Sequence, residues 1–242
     1  MIKKLLLILI TTLALNTFAS AGSDGELILK KNEPSEVKDC FEKFNRATFA
    51  LNQTLDGVIF KPVAKVYRML PSPARTGLSN SLNNLSHLTT IPNNIIQGDL
   101  KTAGKNTGRF IINTTLGILG LFDVAQHVGL AGYEKEDYGQ SFAALGAKPG
   151  CYIVLPVIGP STARDTVAST LNFIGGDPWY NVTVKNDTNY FKDADYYTSK
   201  VGSGVDFRAK NYDSINNLEE NSIDFYASVK SLYLQDRQQK IL

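Results

Sequence analysis

Apolar residues recur at helical spacing along much of this chain. The clearest stripe follows positions i, i+1, i+4, i+7 and i+8, as occupied by Phe225, Tyr226, Val229, Leu232 and Tyr233. Similar spacing marks helices within 63–70, 78–88 and 100–111. Alternating apolar and polar residues, typical of half-buried strands, are scarce. The pattern therefore predicts an all-α or mostly-α chain.

The first helix carries a polar strip directly beside its apolar edge. Phe44 and Leu51 share one narrow face of this helix, and Asn45, Asn52 and Asp56 occupy the neighbouring strip. One interpretation is chance, or side chains that bond to nearby backbone. The other is a polar strip that lines a wet cavity, with the apolar edge beside it.

The most apolar stretch after the N-terminus is FIINTTLGILGLFDVA, residues 110–125, interrupted by Asn113, Gly117, Gly120 and Asp123. It is shorter than the roughly 20 residues that a spanning helix needs. Two glycines three residues apart favour a turn between two short helices. The hairpin is either part of a buried core or dipped into a bilayer.

The N-terminus has the features of a secretory signal peptide. Two lysines precede an apolar run, and small residues follow at 19–21. We expect a signal peptide over 1–21, a lead-in over 22–38 and a single helical domain over 39–242. No cysteine stands near position 21, so the sequence predicts no lipobox.

Charge and hydropathy exclude several classes of protein. The chain has 242 residues, with 25 Lys and Arg against 23 Asp and Glu. Because two of the lysines lie in the signal peptide, the remaining chain is formally neutral, which argues against a nucleic-acid partner bound through a broad basic face. A mean hydropathy of −0.12 is too polar for a polytopic helical membrane protein.

The sequence offers little for catalysis. His87 and His127 each stand alone, without a second ligand at metal-binding spacing, so we expect no metal and no cofactor. No nucleophile elbow, P-loop or dinucleotide fingerprint occurs. A serine or aspartate could still meet one histidine in space, which keeps a hydrolase open. The two exported cysteines, Cys40 and Cys151, either form one disulfide or remain two free thiols.

Sequence blocks spread over most of the chain resemble, in order, those of the MlaA/VacJ family. The blocks lie at 39–46 (DCFEKFNR), 61–64 (KPVA), 73–80 (PARTGLSN), 97–98 (QG), 109–114 (RFIINT), 116–117 (LG), 120–125 (GLFDVA), 138–140 (YGQ), 150–156 (GCYIVLP), 159–161 (GPS), 164–165 (RD) and 233–237 (YLQDR). Each block alone is weak, but the ordered set is specific.

This resemblance implies a function that composition and spacing do not supply. Family members form a helical ring lying in the plane of the outer membrane, with an amphipathic central channel and no enzymatic activity. They take phospholipids misplaced in the outer leaflet and pass them toward a periplasmic lipid carrier, and they associate with trimeric porins. An ATP-driven inner-membrane complex completes the return route.

The resemblance also suggests roles for individual residues. The strip on the first helix would contribute to the lipid channel, through Asn45, Asn52, Asp56, Phe44 and Leu51. The apolar segment would be a short hairpin at the channel mouth, where flexible glycines could gate access, and its candidate residues are Asn113, Gly117, Gly120, Phe122 and Asp123.

Two departures from the family pattern affect these expectations. Without a lipobox, embedding would depend on the ring and on a porin. Cys40 and Cys151 both replace a proline of the family, which favours a disulfide between the first helix and the 150–156 loop. The alternatives to lipid transport are a periplasmic hydrolase acting on envelope lipid or glycan, and a structural porin-accessory protein.

Overall fold

The computed structural model describes residues 37–130, 132–185 and 191–241. The predicted signal peptide and almost all of the predicted lead-in lie outside these residues. The chain divides into two units, Met1–Val37 and Lys38–Leu242, and every element described below belongs to the second.

Most of the second unit is helical, as the hydrophobic periodicity predicts. Its α-helices are α1 (Glu42–Leu55), α2 (Lys61–Arg68), α3 (Ser72–Ile96), α4 (Leu100–Thr115), α5 (Val124–His127), α6 (Tyr138–Ala144), α7 (Ala163–Leu171), α8 (Pro178–Tyr180), α9 (Asp193–Lys210), α10 (Tyr212–Asn221) and α11 (Phe225–Gln239). Single π-helical turns at Asp56–Phe60, Asn172–Gly176 and Asn181–Lys185 interrupt the α-helical runs. The longest helix, α3, packs along α4.

The GCYIVLP stretch contains one strand of a small, two-stranded antiparallel sheet. Strand β1 (Tyr152–Leu155) pairs with β2 (Gly159–Thr162), with Tyr152 opposite Thr162. Tyr152 and Val154 are buried, whereas the residues between and after them are half-buried. This alternation follows from the twofold side-chain period of a strand, and it directs one face of the hairpin toward α1.

The interior of this fold is mainly polar, which reverses the usual distribution. Asparagines, threonines and arginines dominate the buried positions, and the buried apolar residues are mostly alanines. Large apolar side chains face outward instead, and Val58, Met69 and Ile174 are 71%, 81% and 75% exposed. Isolated apolar residues on a surface are ordinary, but so many on one chain indicate an apolar environment around it.

No helix in the described residues combines the length and the apolarity needed to cross a membrane.

Candidate functional site

Asn45 on α1 fastens the helix to the β-hairpin. Its Nδ2 donates to the carbonyl of Tyr152 (3.0 Å) and to Oδ1 of Asp39 (2.8 Å), and its Oδ1 accepts from the backbone N–H of Val154 (2.9 Å). The side chain is 0% exposed. These bonds use both ends of the amide, so Asn45 ties α1 to the hairpin, and its assignment to the lipid channel stays a prediction.

The other polar residues of the strip act in the same way. Asn52 donates to the carbonyl of Leu155 (2.9 Å) and accepts from the N–H of Val157 (2.7 Å), which holds the turn of the β-hairpin. Asp56 accepts two hydrogen bonds from the guanidinium of Arg208 on α9, at 2.8 and 2.9 Å. The strip therefore joins elements, and the backbone groups that Asn45 and Asn52 bind lie more than one hundred residues away rather than nearby on the helix.

We expect Asn45→Leu to lower the free energy of unfolding by about 3 kcal/mol, because it leaves the buried N–H of Val154 and the carbonyl of Tyr152 without partners. Denaturant unfolding in detergent would measure the loss. Asn221→Leu is the matched control, since Asn221 is exposed and bonds only within its own helix; its effect should stay within about 0.5 kcal/mol. Equal losses in both variants would contradict the assigned role of Asn45.

The apolar edge of α1 faces outward. Phe44 and Leu51 are exposed, next to the strip that binds the hairpin. Their direction suits contact with surrounding lipid, and their assignment to the channel stays a prediction.

The apolar segment 116–122 is held at its base by two side chains of α4. Asn113 donates to Oδ1 of Asp123 (2.9 Å) and accepts from the N–H of Ala125 (2.8 Å). Arg109 donates to both carboxylate oxygens of Asp123, at 2.9 and 2.7 Å, and to the carbonyl of Leu130. Burial raises the pKa of Asp123, but the bonds from Asn113 and Arg109 outweigh it and hold the pKa below its usual value. Its ionised form therefore anchors the segment.

The glycines of this segment serve close packing. A Cβ on Gly117 would lie 2.2 Å from the carbonyl oxygen of Phe122. Gly120 has φ +86°, and a Cβ there would lie 2.5 Å from Cβ of Asn84. Both positions therefore require glycine for steric reasons rather than for flexibility, and gating at these residues stays a prediction.

The tip of the segment does not belong to the interior. Five large apolar side chains are exposed there: Leu116, Ile118, Leu119, Leu121 and Phe122. The interpretation of 110–125 as a buried core hairpin is therefore wrong for its tip. A polar anchor below an exposed apolar tip is an arrangement typical of a segment that enters a lipid phase.

An apolar groove of about 460 Å³ lies between α2 and α9, lined by Pro62, Val63, Val66, Tyr67 and Val205. Tyr67 links this apolar groove to a neighbouring ion pair. The hydroxyl of Tyr67 donates to Oδ1 of Asp206 (3.1 Å), and Lys210 forms an ion pair with the same carboxylate (2.8 Å). Burial and the charge of Asp206 raise the pKa of Tyr67 to about 12.

A buried cluster of ion pairs is centred on Arg237. Arg237 on α11 donates to both oxygens of Asp165 (3.0 and 2.9 Å) and to both oxygens of Asp137 (2.8 and 3.1 Å). Tyr233 and Arg164 also donate to Asp165. The cluster joins α11 to α7 and to the N-terminal cap of α6.

Sequence reasoning missed the arginines at the centre of these contacts. Arg109, Arg208 and Arg237 are all buried and paired with aspartates. A signal was present, because the blocks 138–140, 164–165 and 233–237 are far apart in sequence yet meet around Arg237. The groove had no such signal, since an apolar stripe on a helix does not reveal what it faces.

The structure joins Cys40 and Cys151 in a disulfide, with their Cα atoms 5.6 Å apart. The bridge precedes α1 at one end and β1 at the other, so it is a third tie between these elements, beside Asn45 and Asn52. Within the described part of the chain, no group of histidine, cysteine and acidic residues could hold a metal ion.

Comparisons of the sequence and of the structure with known proteins point to the same family. A family model described as MlaA lipoprotein matches residues 37–240. An uncharacterised protein of Rickettsia bellii is 35% identical over 208 residues, which cover 85% of this chain and 78% of that protein. The intermembrane phospholipid transport system lipoprotein MlaA of Haemophilus influenzae is 29% identical over 220 residues, which cover 86% of this chain and 80% of that protein.

One solved structure extends the similarity to three dimensions. It concerns the structural basis for maintenance of bacterial outer membrane lipid asymmetry. The match has a TM-score of 0.70 and 31% sequence identity, and it covers 85% of this chain and 100% of the solved chain.

Proposed function

The chain belongs to the MlaA lipoprotein family, and we propose that it removes phospholipids from the outer leaflet of the outer membrane and passes them to a periplasmic carrier. It acts in intermembrane phospholipid transport, which maintains the lipid asymmetry of the outer membrane. The direction of transfer, the carrier and the associated trimeric porin are part of this proposal.

The observation that carries the proposal is the reversed burial. Most buried positions are polar, while large apolar side chains face outward on α1, the 116–122 segment and the π-helical turn at Asp56–Phe60. Such a surface is costly in water and favourable in hydrocarbon. It supports a protein embedded in the plane of the bilayer, as amphipathic helices can be. We propose a ring of this kind with a central channel.

The groove between α2 and α9 has the chemistry that a phospholipid requires. An acyl chain needs an apolar wall, which Val63, Val66 and Val205 provide. A head group carries charge, and the Asp206–Lys210 pair adjoins the groove through Tyr67. We assign the groove to the lipid path and leave the amide strip of α1 as the frame that holds the β-hairpin in place.

The proposed location is the periplasmic side of the outer membrane, after export by the signal peptide. Embedding would rest on the exposed apolar side chains and on a porin. Phe44 and Leu51 would face surrounding lipid, and the segment containing Phe122 would lie at the channel mouth.

We expect the double substitution Val63→Glu with Val66→Glu to abolish transport. Each valine contributes roughly 1.5 kcal/mol of apolar contact to a bound acyl chain, and a buried carboxylate adds a desolvation penalty, so transport should fall at least about tenfold. The measurement is outer-leaflet phospholipid in intact cells, labelled with an impermeant amine reagent, in a strain whose only copy is the variant. Val63→Leu with Val66→Leu, which stays apolar, is the matched control and should retain transport.

Two results would contradict the proposed function. The first is an unchanged outer-leaflet phospholipid content in a strain that lacks the protein, which would leave a structural porin-accessory role. The second is recovery of the protein in the soluble periplasm without detergent, which would favour a soluble hydrolase. Co-purification of phospholipid with the detergent-solubilised protein would support transport directly.

A further inference from the structure

Three buried polar atoms surround one small cavity beneath the 116–122 segment. The cavity measures about 40 Å³ and lies between α3 and α4. Asn84 Oδ1, His87 Nε2 and Arg109 Nε belong to side chains that line it, and none has a hydrogen-bond partner in the described part of the chain. All three side chains are at least nine-tenths buried. Unpartnered groups of this kind are rare in folded proteins, so their convergence on one cavity needs a cause.

The neighbouring hydrogen bonds define the role of each atom. His87 Nδ1 lies 3.0 Å from the carbonyl of Asn83, and because a carbonyl only accepts, Nδ1 carries the proton. The Nε2 of the neutral ring is then an acceptor. Asn84 donates through Nδ2 to Oγ1 of Thr114 (2.8 Å), which leaves its Oδ1 as an acceptor. Arg109 Nε can only donate.

Two acceptors and one donor match a single water molecule. We propose that this cavity is a binding site for one ordered water, which donates to Asn84 Oδ1 and His87 Nε2 and accepts from Arg109 Nε. The chemistry excludes the other small ligands: the Arg109 guanidinium repels a cation, whereas the two acceptors and the carboxylate of Asp123 disfavour an anion. The volume of about 40 Å³ is sufficient for a water.

The water would have a mechanical role at the base of the segment. Arg109 donates to Asp123 and to the carbonyl of Leu130, which lie at the start and the end of the stretch that follows the apolar tip. Asn84 contacts the tip itself, since Gly120 packs against its side chain. A water between Asn84 and Arg109 therefore connects α3 to the Arg109–Asp123 pair and holds the tip of the 116–122 segment against α3. This inference concerns the fold of the segment and is independent of the direction of lipid transfer.

The first test uses the unaltered protein. A crystal structure of the detergent-solubilised chain at high resolution should show one peak of water density within about 3.2 Å of all three atoms. In addition, ¹⁵N NMR of the imidazole at neutral pH should show a neutral His87 protonated at Nδ1. Direct contact among the three atoms, or a proton on Nε2, would overturn the proposal.

The second test uses hydrogen exchange. His87→Phe keeps a ring against Tyr133 but removes the acceptor, and the amides of Leu119, Gly120 and Phe122 should then exchange roughly tenfold faster. His127→Phe is the control, because His127 makes the same type of bond to a carbonyl four residues earlier but is exposed. Equal exchange in the wild type and in His87→Phe would contradict a water-mediated tie. Failure of either test leaves the lipid-transport assay unaffected, so the two proposals are separable.

Discussion

Reduction of the Cys40–Cys151 disulfide should lower the free energy of unfolding by about 4–5 kcal/mol. The two cysteines are 111 residues apart, and in the chain-entropy model a crosslink over so long a loop restricts the unfolded chain strongly. The difference would be measured as a shift in the denaturant midpoint of the detergent-solubilised protein with and without reductant. The effect is among the largest expected because the bridge closes nearly half of the chain into one loop.

The control for this experiment is the double variant Cys40→Ser with Cys151→Ser. Reductant should leave its midpoint unchanged, and its stability should match that of the reduced wild type. Detection of two free thiols in the denatured protein, without reductant, would contradict the bridge. We also expect Asn45→Leu to cost more in the reduced protein than in the oxidised one, because both ties hold α1 to the same hairpin and neighbouring sites are not additive.

Substitution Arg237→Met should destabilise the protein by about 3 kcal/mol, because the buried carboxylate of Asp165 loses both bonds from Arg237 and keeps only those from Arg164 and Tyr233. The side chain of Arg237 is 11% exposed and that of Asp165 is 8% exposed, so water cannot replace the lost bonds. Arg68→Met is the control, since the partner of Arg68, Asp213, is 72% exposed. Its effect should be far smaller, because water replaces the lost bonds of an exposed pair. Similar losses in the two variants would contradict a special role for the buried cluster.

The cluster also predicts a pH dependence. Burial raises the pKa of Asp165, but the bonds from Arg237 outweigh it, so the pKa of the folded protein lies below the value of about 3.9 in the unfolded chain. The stabilisation is therefore complete above about pH 4 and is lost as the pH falls through the lower, folded value. The deficit of Arg237→Met relative to wild type should shrink in the same range. Adding Asp165→Asn to Arg237→Met should recover part of the loss at neutral pH, because it removes a buried charge that has lost one of its two arginines.

The helical class of this protein could be predicted from its sequence because periodicity is a local property. The stripe through Phe225 and Tyr233 corresponds to α11. The glycine pair at 117 and 120 predicts a turn between two short helices, and a turn does lie there, but the helix before it, α4, has 16 residues. The ordered blocks suffice to indicate the family. The small sheet was less clear, since GCYIVLP is short and its partner strand, which includes Gly159 and Pro160, has no strand-like pattern.

The role of the asparagine strip shows where local reasoning stops. Placing Asn45 and Asn52 on one face requires only helix geometry, and the sequence supplied it. Whether that face meets water, lipid or backbone depends on residues more than one hundred positions away, at Tyr152 and Leu155. Every residue has a backbone carbonyl, so the sequence does not indicate which residue accepts such a hydrogen bond. Helix geometry alone therefore could not indicate that these amides tie α1 to the β-hairpin.

The sequence by itself determined the helices, the family and the two cysteines that stand where the family has proline. The tertiary structure alone decided which polar residues are paired inside and which apolar residues remain outside. The physical reason is that a helical stripe specifies a face, but burial and ion pairing depend on what another part of the chain brings against that face. The reversed interior, the paired arginines at 109, 208 and 237, and the groove between α2 and α9 all arise at that level.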